Sequence, residues 1–183
     1  MKKIQGYTNS IVALHWLIAT GIFFLIGLGW YMVRLEKGLP AVTQYYNLHK
    51  SVGLVVLVLI VLLINFRIRN HPPELPGSLP AWEIKAAKIG HVIIYFFLVV
   101  VPLSGYVEAN VSKWGIDFFG LHLHPWGPDN KTLYTVFNRI HVYGANLFAV
   151  MIGIHFLAAL KHMISHNGVV YRILPESLRP EAG

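Results

Sequence analysis

The sequence predicts an all-α membrane protein folded as a four-transmembrane-helix up-down bundle, and three observations carry that prediction. The chain of 183 residues is 55% hydrophobic and only 13% charged, about half the charged fraction of an ordinary soluble domain. Its apolar residues gather into four uncharged stretches, 11–33, 51–66, 89–107 and 140–160, each near the roughly 17–25 residues that cross a bilayer core as a helix. Lys and Arg are confined to the ends and connections. We read 1–183 as a single membrane domain, with helices over about 9–34, 45–67, 84–108 and 136–164.

The first helix follows a short basic start, "MKK". Its apolar run is too long for a signal-peptide core and lacks a small-residue cleavage pattern, so it is expected to remain as an anchor and bundle member. The second run is the shortest and spans only if it borrows the preceding residues 45–50. The link "RIRNHPPELPGSLPAWEIKAAK" carries four prolines that forbid a continuous helix, so it reads as an ordered loop entering an amphipathic start of helix three. Between helices three and four, "EANVSKWGIDFFGLHLHPWGPDNKTLYTVFNR" mixes Trp, Phe and Gly with a few charges, which suits a segment lying on the headgroup region. Trp30, Tyr31, Tyr45, Tyr46, Tyr106 and Trp114 form the expected aromatic belt on that side.

Orientation follows from the basic residues. Lys2, Lys3, Arg67, Arg69, Lys85, Lys88, Lys161, Arg172 and Arg179 fall on one side, and Arg34, Lys37, Lys50, Lys113, Lys131 and Arg139 on the other. The excess favours both termini in the cytoplasm. The net charge of +7 is what basic residues flanking spans produce. Membrane lipid is the surrounding partner, and nothing suggests nucleic acid. No cysteine is present, which excludes disulfides, thiolate-held iron–sulfur clusters, Cys-type zinc sites and covalently attached c-type haem.

Histidines then stand out, because an imidazole in hydrocarbon needs a partner. His141 and His155 lie fourteen positions apart in the fourth run. At 100° and 1.5 Å per residue they share a helix side within about 40° and sit roughly 21 Å apart. His15 falls near the cytoplasmic start of helix one and His49 near the periplasmic start of helix two. An up-down bundle therefore pairs His15 with His155 and His49 with His141 by depth. Two facing neutral imidazoles from different helices are what a six-coordinate b-type haem needs above and below its iron, so the pattern predicts a bundle holding two haem b. Gly53, Gly144 and Gly153 beside these histidines would let backbone approach a flat macrocycle, although glycines also serve ordinary helix contacts. The competing readings are unrelated interhelical hydrogen bonds, or a bare zinc ion. Zinc would usually draw three or four converging ligands to one point, whereas these histidines form two separated pairs.

Combined with these positions, "ALHWLIA", "NLHKSVG", "KIGHVIIY", "RIHVYGAN", "GIHFLAALKH" and the C-terminal "YRILPE" resemble the bacterial cytochrome b561 family of four-helix di-haem proteins, over nearly the whole chain. The resemblance implies His15 and His155 on the iron of the cytoplasmic-side haem, and His49 and His141 on that of the periplasmic-side haem. It also implies a quinone site beside the cytoplasmic-side haem, with His162 at the candidate position. His91 is a second candidate to hydrogen-bond a quinone carbonyl or supply its proton. Arg67, Arg139 and Lys50 stand at helix ends, where they can pair with haem propionates or snorkel to headgroups. His71, His122, His124 and His166 fall in loops, and His122 and His124 can bind adventitious metal.

Similarity to the short stand-alone members implies a superoxide oxidase that passes electrons from superoxide through two haems to ubiquinone or another quinone. Lys37, Lys50, Lys113, Lys131 and Arg139 would draw in the anion, opposed by Glu36, Glu108, Asp117 and Asp129. The alternative is an electron-conducting subunit of a hydrogenase- or dehydrogenase-like assembly, which needs a periplasmic redox protein partner. A haem-free transporter or helical scaffold is the third reading.

Overall fold

The computed structural model describes residues 5–36, 38–70, 72–73 and 79–180. Lys2, Lys3, Lys37, His71 and Pro76 lie outside the described residues. Four helices dominate: α1 (Asn9–Met32), α2 (Pro40–Arg69), α3 (Ala81–Asn110) and α4 (Lys131–Ile164). All four are long and apolar enough to cross a membrane. The protein is a multi-pass helical membrane bundle.

Local chemistry sets the helix ends. Pro40 opens α2 at its first turn, where its missing N–H costs nothing. This start lengthens the short second apolar run well beyond a bilayer core. Pro80 stands just before α3, so the proline-rich link ends where the helix begins. The Asn130 side chain caps α4 by accepting from the Thr132 and Leu133 N–H groups at 3.0 and 3.1 Å, satisfying two orphan donors of the first turn. Arg67 and Arg69 close α2, opposite the negative end of its dipole.

The bundle is built from two helical hairpins, α1 with α2 and α3 with α4, joined along α2 and α3. Ile11, Leu14, Ile18, Val56, Ile60, Leu63, Leu98, Val101 and Phe148 form the buried core, and Phe97 stacks on Phe148 with ring centres 6.0 Å apart. Many other large apolar side chains, such as Val58, Val61, Phe96, Val150 and Ile154, point outward. Lipid tails are as apolar as they are, so this outward face costs nothing in a bilayer.

At one end, the segment between α3 and α4 carries regular structure. It folds into an antiparallel hairpin of β1 (Ile116–Phe118) and β2 (Leu121–Leu123). Ser51, 1% exposed, fastens this hairpin to α2. Its Oγ lies 2.8 Å from the Asn47 carbonyl and 2.9 Å from that of Asp117, and accepts the Phe119 N–H at 3.0 Å. Asp117 adds a second tie, accepting from Asn47 Nδ2 at 3.1 Å. Ser51→Ala should strand the Phe119 N–H and cost about 1–3 kcal/mol. The expected readout is faster proteolytic nicking of the hairpin in detergent, with the four helices intact.

The opposite end carries both termini. Two short 3-10 turns, Val170–Ile173 and Glu176–Leu178, fold the tail onto the N-terminal segment. The Tyr7 N–H donates to the Arg172 carbonyl at 2.9 Å, and Trp16 Nε1 to that of Ile173 at 3.1 Å. Arg179 Nη2 donates to the Tyr7 carbonyl and Arg172 Nη2 to that of Pro73. The Arg67 and Arg172 guanidiniums lie over the Tyr7 ring at 4.7 and 5.6 Å. Burial lowers the Arg172 pKa from its ordinary value, with Tyr7 opposing the shift and Arg67 reinforcing it. A Cβ on Gly6 would lie 2.5 Å from Arg179 Cζ and 2.8 Å from the Arg172 carbonyl oxygen, so this clasp requires glycine there.

Candidate functional site

The histidines of the spans gather in two places. Near the hairpin end, His49 of α2 and His141 of α4 face each other with ring centres 6.0 Å apart and planes at 89°. His141 reaches this position through α3. Pro102 lies inside that helix, which lacks one backbone N–H there. The neighbouring Val101 carbonyl accepts His141 Nδ1–H at 2.9 Å and Ser104 Oγ–H at 2.7 Å. With Nδ1 committed as a donor, Nε2 is the nitrogen left to bind a metal. A carbonyl on the far ring nitrogen is the usual second partner of a metal-binding histidine.

Two glycines admit the rings. A Cβ on Gly105 would lie 2.8 Å from His141 Nδ1, and one on Gly29 would lie 3.4 Å from His49 Cε1. The sequence reading singled out Gly53, Gly144 and Gly153 instead. A Cβ at Gly53 or Gly153 would meet no protein atom within 4 Å, while Gly144 packs against Val101. The usable signal for Gly105 was "VPLSG", a proline and a glycine inside one apolar run.

Near the terminal end, His155 of α4 packs edge to face on His91 of α3, with ring centres 5.5 Å apart and planes at 82°. His15 of α1 lies within electrostatic range of both. His91 therefore packs against one member of the pair that depth alone joined. His91 Nδ1–H donates to the Ala87 carbonyl at 2.6 Å, so its Nε2 is also free.

Whether these residues suit a bis-histidine metal group is decided by spacing and hydrogen bonding. Two nitrogens each about 2 Å from a common metal require ring centres about 6 Å apart, which the His49–His141 pair meets. His49 Nδ1 is buried with no hydrogen-bond partner among the described residues, and a buried polar atom of this kind calls for a partner from outside the chain. No group of three or more His, Cys, Asp or Glu placed to hold a bare metal ion occurs among the described residues. The donor set fits a porphyrin-held iron better than zinc.

The remaining predicted residues are placed as follows. Arg67 Nε–H donates to Tyr95 Oη at 3.1 Å, and its Nη1 is buried with no hydrogen-bond partner among the described residues. Arg139 is exposed. Lys50 Nζ donates to the Gly115 carbonyl at 3.0 Å, which ties it to the hairpin. His162 lies at the terminal end beside Glu83 and Asn167, two residues the sequence reading passed over. His122 sits on β2, with Nδ1 2.6 Å from Asp117 Oδ1 and its ring edge-on to His124 at 4.7 Å. His166, exposed, takes a positive φ of 47° just past α4.

The chain resembles known proteins along nearly its whole length. The family model described as prokaryotic cytochrome b561 matches residues 6–176. The chain is 29% identical to "Cytochrome b561 homolog 2" of Escherichia coli K12, over 94% of this chain and 93% of that one. It is 26% identical to "Probable superoxide oxidase CybB" of Yersinia pestis, over 94% and 97%. It is 30% identical to "Cytochrome b562" of Cereibacter sphaeroides, over 98% and 99%. With four membrane-spanning helices, imidazoles facing one another near both ends of the bundle and a match along nearly its whole length, the chain belongs to the prokaryotic cytochrome b561 family of electron-transfer proteins.

Proposed function

We propose that this protein is a superoxide:quinone oxidoreductase of a bacterial inner membrane, with both termini in the cytoplasm. The observation that carries the reading is the stacking of two imidazole clusters, His49 with His141 and His15 with His155 and His91, near opposite ends of one bundle. Haem b bound at each would supply a one-electron carrier.

In this reading His49 and His141 bind the iron nearer the hairpin, and His15 and His155 the iron nearer the termini. Arg67, whose buried Nη1 has no hydrogen-bond partner among the described residues, and the exposed Arg139 are the candidates to pair with propionates. Superoxide approaches the hairpin end, where Lys113, Lys131 and Arg139 are exposed. Two superoxide ions each lose one electron and leave as dioxygen. A quinone near His162 takes up both electrons and two protons to become quinol. Because two histidines would hold the group at each site, it would supply outer-sphere electron transfer from superoxide.

A purified, oxidised sample mixed with a steady superoxide source should show rapid reduction of its haem absorbance. Superoxide dismutase should abolish that reduction, and a short-chain quinone should reverse it. Haems that stay oxidised under superoxide, yet accept electrons from dithionite, would overturn the proposal and point to an electron-conducting subunit that needs a redox protein partner.

A further inference from the structure

At the terminal end, four polar side chains meet on α3, α4 and the start of the tail. Glu83 Oε1 accepts from Lys161 Nζ at 2.6 Å, and Glu83 Oε2 lies 3.8 Å from His162 Nε2. The Asn167 amide adjoins the other ring nitrogen, its Nδ2 2.7 Å from His162 Nδ1. Exposure falls from the outside in: the Lys161 side chain is 53% exposed, that of His162 15% and that of Glu83 13%.

Hydrogen bonding determines which of these groups can move a proton. Asn167 Oδ1 accepts the Val169 N–H at 3.4 Å, which orients the amide so that Nδ2 faces the histidine. An amide nitrogen only donates, so His162 Nδ1 must accept, and the neutral ring carries its proton on Nε2. In that tautomer His162 can orient a carbonyl oxygen by donating Nε2–H. It cannot act as the acid, because losing that proton would leave an imidazolate, and the doubly protonated ring would set a second N–H against the Asn167 donor. Glu83, whose carboxylate accepts from Lys161, can take up a proton on Oε2 and release it again without disturbing its other contact. Its Oε2 is close to Nε2 without being hydrogen-bonded to it, so an oxygen held by Nε2–H would also border the carboxyl group.

We propose that Glu83 is the proton donor to quinone at this end, with His162 as a fixed hydrogen-bond donor that orients the carbonyl and Lys161 as the link to solvent. The inference rests on the quinone-reducing role proposed above and assigns its proton chemistry. Quinone accepts two electrons, originating in two superoxide ions, and each of its oxygens gains one proton. Glu83 takes a proton from water on the Lys161 side and passes it to the oxygen held by His162, while the opposite oxygen takes its proton from water. Asn167 is a positioning residue that acts through the His162 tautomer.

The test uses the full-length, haem-loaded protein, reduced by superoxide and then mixed with a short-chain quinone in a stopped-flow instrument. Glu83→Gln keeps the size and the contact with Lys161 but cannot transfer a proton. It should slow haem reoxidation by about 10²-fold, in the range expected for loss of a general acid. The quinone KM should be nearly unchanged, the solvent deuterium isotope effect larger, and the superoxide-driven reduction step untouched. Glu83→Asp should recover part of the rate, whereas His162→Gln should raise KM more than it lowers kcat. Reoxidation of Glu83→Gln at the wild-type rate would overturn the inference while leaving the proposed function standing. Wild-type protein that is not reoxidised by quinone would remove the function itself.

Discussion

On the proposed two-haem reading, haem content should fall from two per chain to about one in both His141→Ala and His49→Ala, and the same spectral component should vanish from each. The reason is geometric. The two rings stand 6.0 Å apart, and each is the other's only candidate partner across a shared iron among the histidines placed there. Removing one leaves the iron with a single protein nitrogen and exposes a polar atom to hydrocarbon, which the bilayer does not compensate. His15→Ala and His155→Ala should each remove the other component. His91→Ala decides the role of the third imidazole at that end: retention of both haems with a shifted spectrum assigns it to packing against His155, while loss of the second haem makes it a ligand. Pyridine haemochrome assay and low-temperature difference spectra give the readout. Loss of one common component from the His49 and His155 variants, with retention in His141→Ala, would sink the pairing.

Gly105→Ala should disturb the histidine pair near the hairpin directly. Its Cβ would stand 2.8 Å from His141 Nδ1 and 2.9 Å from Cε1, distances that no side chain tolerates without moving. The ring must then rotate away from the Val101 carbonyl, losing the hydrogen bond that commits Nδ1 and aims Nε2. Overpacking of this kind costs about 1–3 kcal/mol, and loss of a second partner to a metal-bound histidine costs about 10- to 100-fold in affinity. The expected result is partial loss of the component missing from His141→Ala, together with a lower thermal midpoint. Gly27→Ala is the control, since a Cβ there would meet nothing within 4 Å. Equal haem retention in the two variants would show that Gly105 does not position the ring.

Much of this architecture was legible because the bilayer imposes strict rules. A run must be apolar and about 20 residues long to cross, so four spans could be read from composition. Helical periodicity then placed His141 and His155 on one side of α4. Depth was readable in the same way, because alternate spans run in opposite directions, and His49 indeed faces His141. Helix ends were less legible. α2 begins at Pro40 and α4 at Lys131, in polar turns that hydropathy does not register. The hairpin between α3 and α4 was missed because its strands are three residues each, too short for alternation to declare itself, and its stability comes from Ser51 on a distant helix.

The sequence by itself determined that this chain is a four-span membrane helix bundle, and where along each span its histidines lie, because length, hydropathy and the 3.6-residue turn are properties of one segment at a time. Only the tertiary structure decided that His91 joins His155, that Gly29 and Gly105 admit the imidazoles of neighbouring helices, that a carbonyl beside Pro102 orients His141, and that Glu83 and Asn167 flank His162. Each of these depends on how α1 to α4 rotate about their axes and pack, and no single segment carries that information.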